Sequence, residues 1–183
     1  MNVSANALVR HRQRSTCIPL VLGIGNPLRG DDGLGQAVVE HLSQSRPLNC
    51  NVLAIHQLTP ELAEQMAKAA FVVLIDASRE GEPGEVRVHQ LPFPAHPSLR
   101  AGTVGTHHMT PEELTYLAAT MYSYCPPVIV ISVTGIHFEL GEQLSAPVVL
   151  SLSRVNALLH QMLASDKGEE NHDAFNDVRR DRI

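Results

Sequence analysis

The feature that most constrains the fold is an alternation of β-rich runs with helical segments along the chain. Short apolar runs typical of buried strands are followed by stretches with helical spacing, in the order β-α-β-α-β-β-α-β-α. Strands that are joined through helices pair in parallel, with the helices packed on the sheet. The pattern therefore predicts a single-domain, three-layer α/β/α sandwich, with a largely parallel twisted sheet of about five strands and helices on both faces.

The strands and helices are predicted from local signals. Strands are expected at 18–22, 51–55, 71–76, 84–90 and 128–133, and helices at 33–42, after Thr59, after Thr110 and at 147–163. Thr59-Pro60 and Thr110-Pro111 each place a capping hydroxyl before a proline that suits the first helical position. These two pairs predict where the second and third helices begin.

Length and composition limit the chain to one folded domain. A chain of 183 residues can bury one sizeable core, and with 4% aromatic residues small aliphatic side chains must build it. Residues 1–16 lack periodicity and residues 166–183 are polar and rich in charge. We therefore predict flexible tails at both ends of a domain that spans residues 17–165.

Charge and cysteine content narrow the partners and the compartment. A formal charge of −5, with no basic cluster, argues against a nucleic-acid partner. Three cysteines without a C-x-x-C spacing predict neither a disulfide framework nor a cysteine zinc site, which favours the reducing cytoplasm. No apolar run in the sequence reaches transmembrane length, so we expect no membrane insertion.

A glycine-rich stretch after the first strand carries two adjacent carboxylates. It runs from Gly23 to Gly35 as Gly-Ile-Gly-Asn-Pro-Leu-Arg-Gly-Asp-Asp-Gly-Leu-Gly. Its first two glycines fit a dinucleotide fingerprint, but Leu28 stands at the third glycine position. Asp31 and Asp32 stand at the start of the helix, where they would repel a pyrophosphate. We therefore expect no nucleotide cofactor.

The carboxylates admit a structural and a functional interpretation. A single Asp before a helix is commonly an N-cap, and Asp76, at the end of the third strand, could cap the turn that follows it. If the first three strands are ordered 2-1-3, Asp32 and Asp76 lie at neighbouring strand ends, where open α/β sheets bind ligands. A carboxylate beside a dry core needs a partner, so this arrangement favours a shared cation.

A loop before the third helix supplies the third candidate ligand. It contains His107 and His108 after a glycine-rich segment, at the entrance to the helix that Thr110 begins. Two carboxylates and an imidazole suit a borderline divalent metal such as nickel or zinc. Most of the ten histidines are better explained as surface or packing residues, but the position of these two favours metal binding.

Three motifs in order resemble the hydrogenase maturation endopeptidases, the proteases that mature the large subunit of [NiFe] hydrogenases. They are Gly23-x-Gly-Asn-x-x-x-x-Asp-Asp-Gly-x-Gly35, Ile75-Asp76-Ala77 and Thr106-His107-x-Met109. The resemblance continues to residues 141–147, before the last helix, and so covers nearly the whole predicted domain. It implies an endopeptidase that removes the C-terminal extension of a [NiFe] hydrogenase large-subunit precursor after nickel insertion.

Carried over by position, the resemblance implies that Asp32, Asp76 and His107 bind the nickel of the substrate. Their catalytic role is not separable from this binding. His107 is preferred to His108 because the histidine of the family stands two residues before a Leu or Met. Asp31 is then expected to cap or support the site.

Asn26 either turns the glycine-rich loop through its side chain or offers a polar contact, and we expect the turn.

The nickel is expected to come with the substrate, and it can act as a positioning template, as a Lewis acid on the scissile carbonyl or by activating water. The sequence contains neither H-E-x-x-H nor G-x-S-x-G. We expect a monomer; the alternative function is a non-catalytic nickel-binding chaperone for hydrogenase assembly.

Overall fold

A computed structural model describes residues 17–44, 49–92 and 109–164. The predicted tails and the loop with His107 and His108 lie outside these residues. The described strands are β1 Leu20–Ile24, β2 Asn51–Ile55, β3 Val72–Ser78, β4 Val86–Gln90 and β5 Val128–Thr134. The described α-helices are α1 Leu34–Gln44, α2 Leu62–Ala67, α3 Pro111–Tyr122 and α4 Ala146–Ala164, and a 3-10 helix, Gly30–Gly33, precedes α1.

The five strands form one sheet in the order β2-β1-β3-β5-β4. Four of them are parallel, and β4 pairs with β5 in the antiparallel direction. The largely parallel sheet and the 2-1-3 order of the first three strands are therefore confirmed. The chain passes from β1 to β2 on one side of β1, and then to β3 on the opposite side of β1. The strand order therefore reverses between β1 and β3.

Helices pack on both faces of the sheet, as predicted. On one face α1 and α4 bury residues such as Val38 and Leu159, and on the other α2 and α3 bury residues such as Met66 and Leu114. The first four residues of β3 alternate between these two cores and are all fully buried. Among the described helices, none combines the length and the apolar composition that crossing a bilayer requires.

The third strand extends further than predicted. Its pairing with β1 ends at Gly23 and Ile75, whereas its pairing with β5 continues to Ser78 and Thr134. The prediction that Asp76 is the last residue of this strand is therefore wrong, because β5 supplies backbone partners beyond the end of β1. Asp76 occupies the first position of β3 that has no β1 partner.

The two Thr-Pro helix starts differ. Thr110 is the predicted cap of α3, and Glu113 makes the cap reciprocal: Thr110 Oγ1 accepts the N–H of Glu113 at 3.2 Å, and Glu113 Oε2 accepts the N–H of Thr110 at 2.8 Å. Thr59 is not the cap of α2, so that prediction is wrong. The helix begins at Leu62, whose N–H donates to the Thr59 carbonyl across a tighter turn.

Candidate functional site

The chain leaves β1 through a turn that requires glycine. Gly25 has a φ of 126°, and a Cβ atom there would overlap the backbone carbonyl oxygen of Asp32. Asn26 then closes the turn, because its Oδ1 accepts the N–H of Leu28 at 3.0 Å and its carbonyl accepts the N–H of Arg29 at 3.0 Å. The turn role predicted for Asn26 is confirmed.

Asp32 is tied to this turn by a backbone hydrogen bond. Its Oδ2 accepts the N–H of Asn26 at 2.8 Å, and its side chain is partly exposed. Within the described part of the chain, no donor is recorded for its other oxygen, Oδ1. A bond of this kind fixes the direction of the carboxylate while leaving one oxygen available for a ligand.

Asp31, one residue earlier, is completely buried and contacts a distant segment. Its carboxylate accepts the N–H groups of Ile136, His137 and Ser145 at 2.7, 2.9 and 2.6 Å, and the Ser145 hydroxyl at 2.9 Å. Burial alone raises the pKa of Asp31, but these hydrogen bonds outweigh it and hold the pKa below the ordinary 3.8. Asp31 therefore supports the segment that precedes α4 and does not cap its own helix.

Asp76 is a mostly buried carboxylate whose proton affinity is raised. Burial and, to a lesser extent, the charge of Asp32 raise the pKa of Asp76 from 3.8 to about 6, against the effect of a hydrogen bond from the Ala77 N–H at 2.8 Å. The turn after the strand is capped by Ser78, whose Oγ accepts the N–H of Glu80 at 3.1 Å. The structure therefore does not support the alternative that Asp76 caps this turn.

Asp32 and Asp76 line the same open cleft, which has a volume of about 410 Å³. The cleft lies where β1 has ended and β3 continues, at the carboxyl end of the parallel strands. Its other lining residues come from the turn after β1, from the end of β3 with the loop beyond it, and from the segment before α4; they are Arg29, Ala77, Ser78, Arg79, Glu80 and Phe138. The fold thus brings the two predicted carboxylates together at the predicted edge.

Two arginines, which the sequence did not predict as site residues, share this cleft. Arg29 Nε donates to the backbone carbonyl of Phe138 at 3.3 Å, and Arg79 Cζ lies 4.0 Å from the centroid of the Phe138 ring. Arg29 stands inside the glycine-rich motif and Arg79 three residues after Asp76, so their nearness to strand ends was an available signal. Phe138 gives no such signal, because it is an apolar residue in an irregular segment.

The described residues supply two of the three predicted metal ligands. Across 17–44, 49–92 and 109–164, no three His, Cys, Asp or Glu side chains are grouped so that they could hold a metal ion. His107 and the alternative His108 lie outside those ranges. Carboxylate oxygens are hard ligands, and an imidazole added to them gives the mixed N/O set that borderline divalent metals accept.

The fold and the cleft define a doubly wound α/β protein with a pair of carboxylates at the point where the strand order reverses. No protein-family model and no curated protein sequence matches the chain. Solved structures do match. One is the hydrogenase maturating endopeptidase HybD from E. coli, with a TM-score of 0.64 and 21% identity over 82% of this chain and 94% of that one.

Two further matches carry the same kind of name. The [NiFe] hydrogenase maturation protease HycI from Thermococcus kodakarensis has a TM-score of 0.62 and 23% identity, over 85% of this chain and 99% of that one. A hydrogenase 2 maturation peptidase from a Thaumarchaeota archaeon has a TM-score of 0.60 and 24% identity, over 80% and 98%. The chain has the fold of the hydrogenase maturation proteases, and at the level of fold the resemblance is confirmed.

Proposed function

We propose that the chain is an endopeptidase that removes the C-terminal extension of a [NiFe] hydrogenase large-subunit precursor after nickel insertion. The observation that carries this proposal is the pair Asp32 and Asp76 in one cleft, with the charge of Asp32 contributing to the raised pKa of Asp76. The pair lies at the strand-order reversal of a fold that solved hydrogenase maturation proteases share.

In this proposal Asp32, Asp76 and His107 recognise the nickel that the precursor carries. Two carboxylates that repel each other attract a divalent cation, because the cation stabilises both in the ionised form. An imidazole completes a set of nitrogen and oxygen ligands that nickel accepts. Three protein ligands leave coordination positions for groups of the substrate. We propose that the nickel comes with the substrate and that there is no nucleotide cofactor.

The proposed reaction is hydrolysis of one peptide bond next to the nickel site. A water oxygen adds to the scissile carbonyl carbon, the C–N bond breaks, and the departing amine takes a proton. A metal held by the three ligands places that bond against the cleft and can polarise its carbonyl or activate water. We further propose a monomer in the cytoplasm, where the three cysteines, which form no disulfide, would stay reduced.

The proposal is tested by incubating the purified chain with nickel-loaded and nickel-free large-subunit precursors. We expect mass spectrometry to show loss of a C-terminal segment from the nickel-loaded precursor and an unchanged nickel-free precursor. A chain that binds the loaded precursor and leaves its length unchanged would be an assembly chaperone and not a peptidase.

Single substitutions in the same assay test the three ligands. Asp32→Ala, Asp76→Ala and His107→Ala should abolish processing, because each removes a proposed ligand. For Asp32→Ala and Asp76→Ala we expect little loss of stability, since neither removes an apolar core side chain. Glu40→Gln is the control, since Glu40 is an exposed carboxylate of α1 outside the cleft. Normal processing by His107→Ala together with loss in His108→Ala would move the third ligand by one residue.

A further inference from the structure

The proposed metal recognition uses the carboxylates of the cleft and assigns no role to the two arginines that line the same cleft. Arg29 lies in the turn after β1, and Arg79 directly follows β3. Because β1 and β3 are neighbours in the sheet, these two loops lie side by side at its carboxyl edge. The arginines therefore line the same cleft as Asp32 and Asp76 while coming from separate parts of the chain.

Phe138 contacts both guanidinium groups. Its carbonyl accepts a hydrogen bond from Arg29 Nε, and its ring faces the guanidinium of Arg79 at 4.0 Å. Phe138 is 8% exposed, and Asp31 fixes the two residues before it through their N–H groups. A cation over an aromatic ring is held by the π electrons and not by a hydrogen-bond acceptor, so this contact pairs no N–H group of Arg79 with a carboxylate.

Neither arginine forms an ion pair with a carboxylate within the described ranges. The ion pairs recorded there join Lys68 with Glu64 and Arg87 with Glu85. Glu80 and the two aspartates line the cleft as well, yet none of them forms an ion pair with Arg29 or Arg79. Arginine N–H groups held next to an open cleft suit a planar anion such as a carboxylate, which accepts two parallel hydrogen bonds.

We infer that Arg29 and Arg79 form a carboxylate-binding subsite, which holds an acidic group of the peptide substrate while the neighbouring carboxylates hold its nickel. This inference rests on the proposed peptidase function. The carboxylate belongs to an acidic side chain near the cleaved bond or to the C-terminus of the substrate, since both present the same planar pair of oxygens. The subsite gives the enzyme a second point of contact, which strengthens binding of the peptide beside the proposed metal site.

The test is the steady-state cleavage of the nickel-loaded precursor by Arg29→Gln, Arg79→Gln and the double variant. Each single change should raise KM about tenfold and change kcat less than about twofold, because a contact that is equal in ground and transition states affects binding alone. Arg79→Lys should recover part of the loss, since lysine keeps the charge without the planar fork. Arg154→Gln is the control, because Arg154 is an exposed arginine of α4 outside the cleft.

Precursor variants identify the bound carboxylate. Acidic side chains of the C-terminal extension are changed to amides one at a time, and a semisynthetic precursor carries a C-terminal amide. The precursor without the bound carboxylate should raise KM with the wild-type enzyme and cause no further rise with Arg79→Gln. A rise with the C-terminal amide assigns the chain end, and a rise with a side-chain amide assigns that side chain.

The outcomes separate the subsite from the peptidase function. If the wild-type chain cleaves and the arginine variants keep its KM, or lose kcat alone, the subsite is overturned and the peptidase function stands. The subsite is also overturned if no neutralised precursor raises KM. If the wild-type chain does not cleave the loaded precursor, the peptidase function is overturned and the inference with it.

Discussion

Asp31 and Asp32 are identical neighbours in the chain with different surroundings. Asp31 accepts four hydrogen bonds in the interior, whereas Asp32 accepts one at the edge of the cleft. Both lie in a 3-10 helix, in which consecutive side chains differ in direction by about 120°. Two consecutive residues therefore have different roles: Asp31 is a buried acceptor that supports the segment before α4, and Asp32 is a candidate metal ligand.

The raised pKa of Asp76 predicts a stability that falls as the pH rises in the metal-free protein. Between the ordinary pKa of 3.8 and the folded-state pKa of about 6, the folded chain holds a proton that the unfolded chain has lost. The contribution of Asp76 is fully present below pH 3.8 and is lost as the pH rises through about 6. The cause is the burial of the ionised carboxylate.

Asp76→Asn should remove this dependence. At pH 8 its free energy of unfolding in urea should exceed that of the wild type by about 1–3 kcal/mol, because a neutral amide avoids the cost of burying the charge. At about pH 3.5 the two proteins should have nearly equal stability, since Asp76 is then protonated in the folded chain and largely protonated in the unfolded chain. A difference that is the same at both pH values would contradict the raised pKa.

The sequence predicted Asp32 and Asp76 as neighbours for reasons that are local or topological. Each acid stands close to the end of an apolar run, and the order of the strands follows from general rules of α/β connection. The arginines meet through Phe138, whose segment is positioned by a hydrogen bond between residues 105 apart in the chain. Contacts of that kind leave no periodic signal, so the place of Phe138 in the cleft could not be predicted, although each arginine stands near a strand end in the sequence.

At the scale of single elements, boundaries were predicted less well than the elements themselves. Buried strands such as β3 are uninterrupted apolar runs, so their existence is plain from the sequence. Where β3 ends depends on β5, which pairs with it beyond β1. The start of α2 likewise depends on backbone hydrogen bonds near Thr59 that the cap motif alone does not specify.

The segment from Ile136 to Ser145 should depend on the carboxylate of Asp31. Asp31→Ala leaves three N–H groups and a hydroxyl without their acceptor, and the N–H and hydroxyl of Ser145 are buried, so we expect a loss of about 3–5 kcal/mol in the free energy of unfolding. Ser145→Ala removes only the hydroxyl bond and should cost about 1–2 kcal/mol. Urea denaturation measures both.

Ser153→Ala is the control for these two variants. Ser153 is an exposed serine of α4 whose hydroxyl contacts a backbone carbonyl of its own helix, so its loss should cost less than about 0.5 kcal/mol. Equal losses for Asp31→Ala and Ser145→Ala would show that the carboxylate does not organise the segment.

At the scale of the whole molecule, alternation along the chain was enough to predict the architecture. Crossover connections and a reversal of strand order determine the edge at which ligands bind, whatever the chemistry of the site. The antiparallel β4 at the sheet edge agrees with the weaker alternation of its residues. A third ligand could be proposed from the family motif, but the described residues do not include it.

The isolated protein should hold no tightly bound metal. We expect elemental analysis after chelation to find well under one nickel or zinc ion per chain, because in the proposed function the nickel is delivered by the substrate. Added nickel alone should raise the Tm of the wild type, and this shift should disappear in Asp32→Ala and remain in Glu40→Gln. A fully occupied ion that survives chelation would show a resident metal instead.

The contact between Asp31 and Ser145 joins positions that are 114 residues apart, and we expect these two positions to covary among related proteins. A change at Asp31 strands donors in the interior, whereas a change at Ser145 removes one of the groups that offset the burial of the aspartate. Lineages should therefore exchange these two residues together. Asp32 accepts no hydrogen bond from Ser145, so we expect substitutions at position 32 to be independent of residue 145.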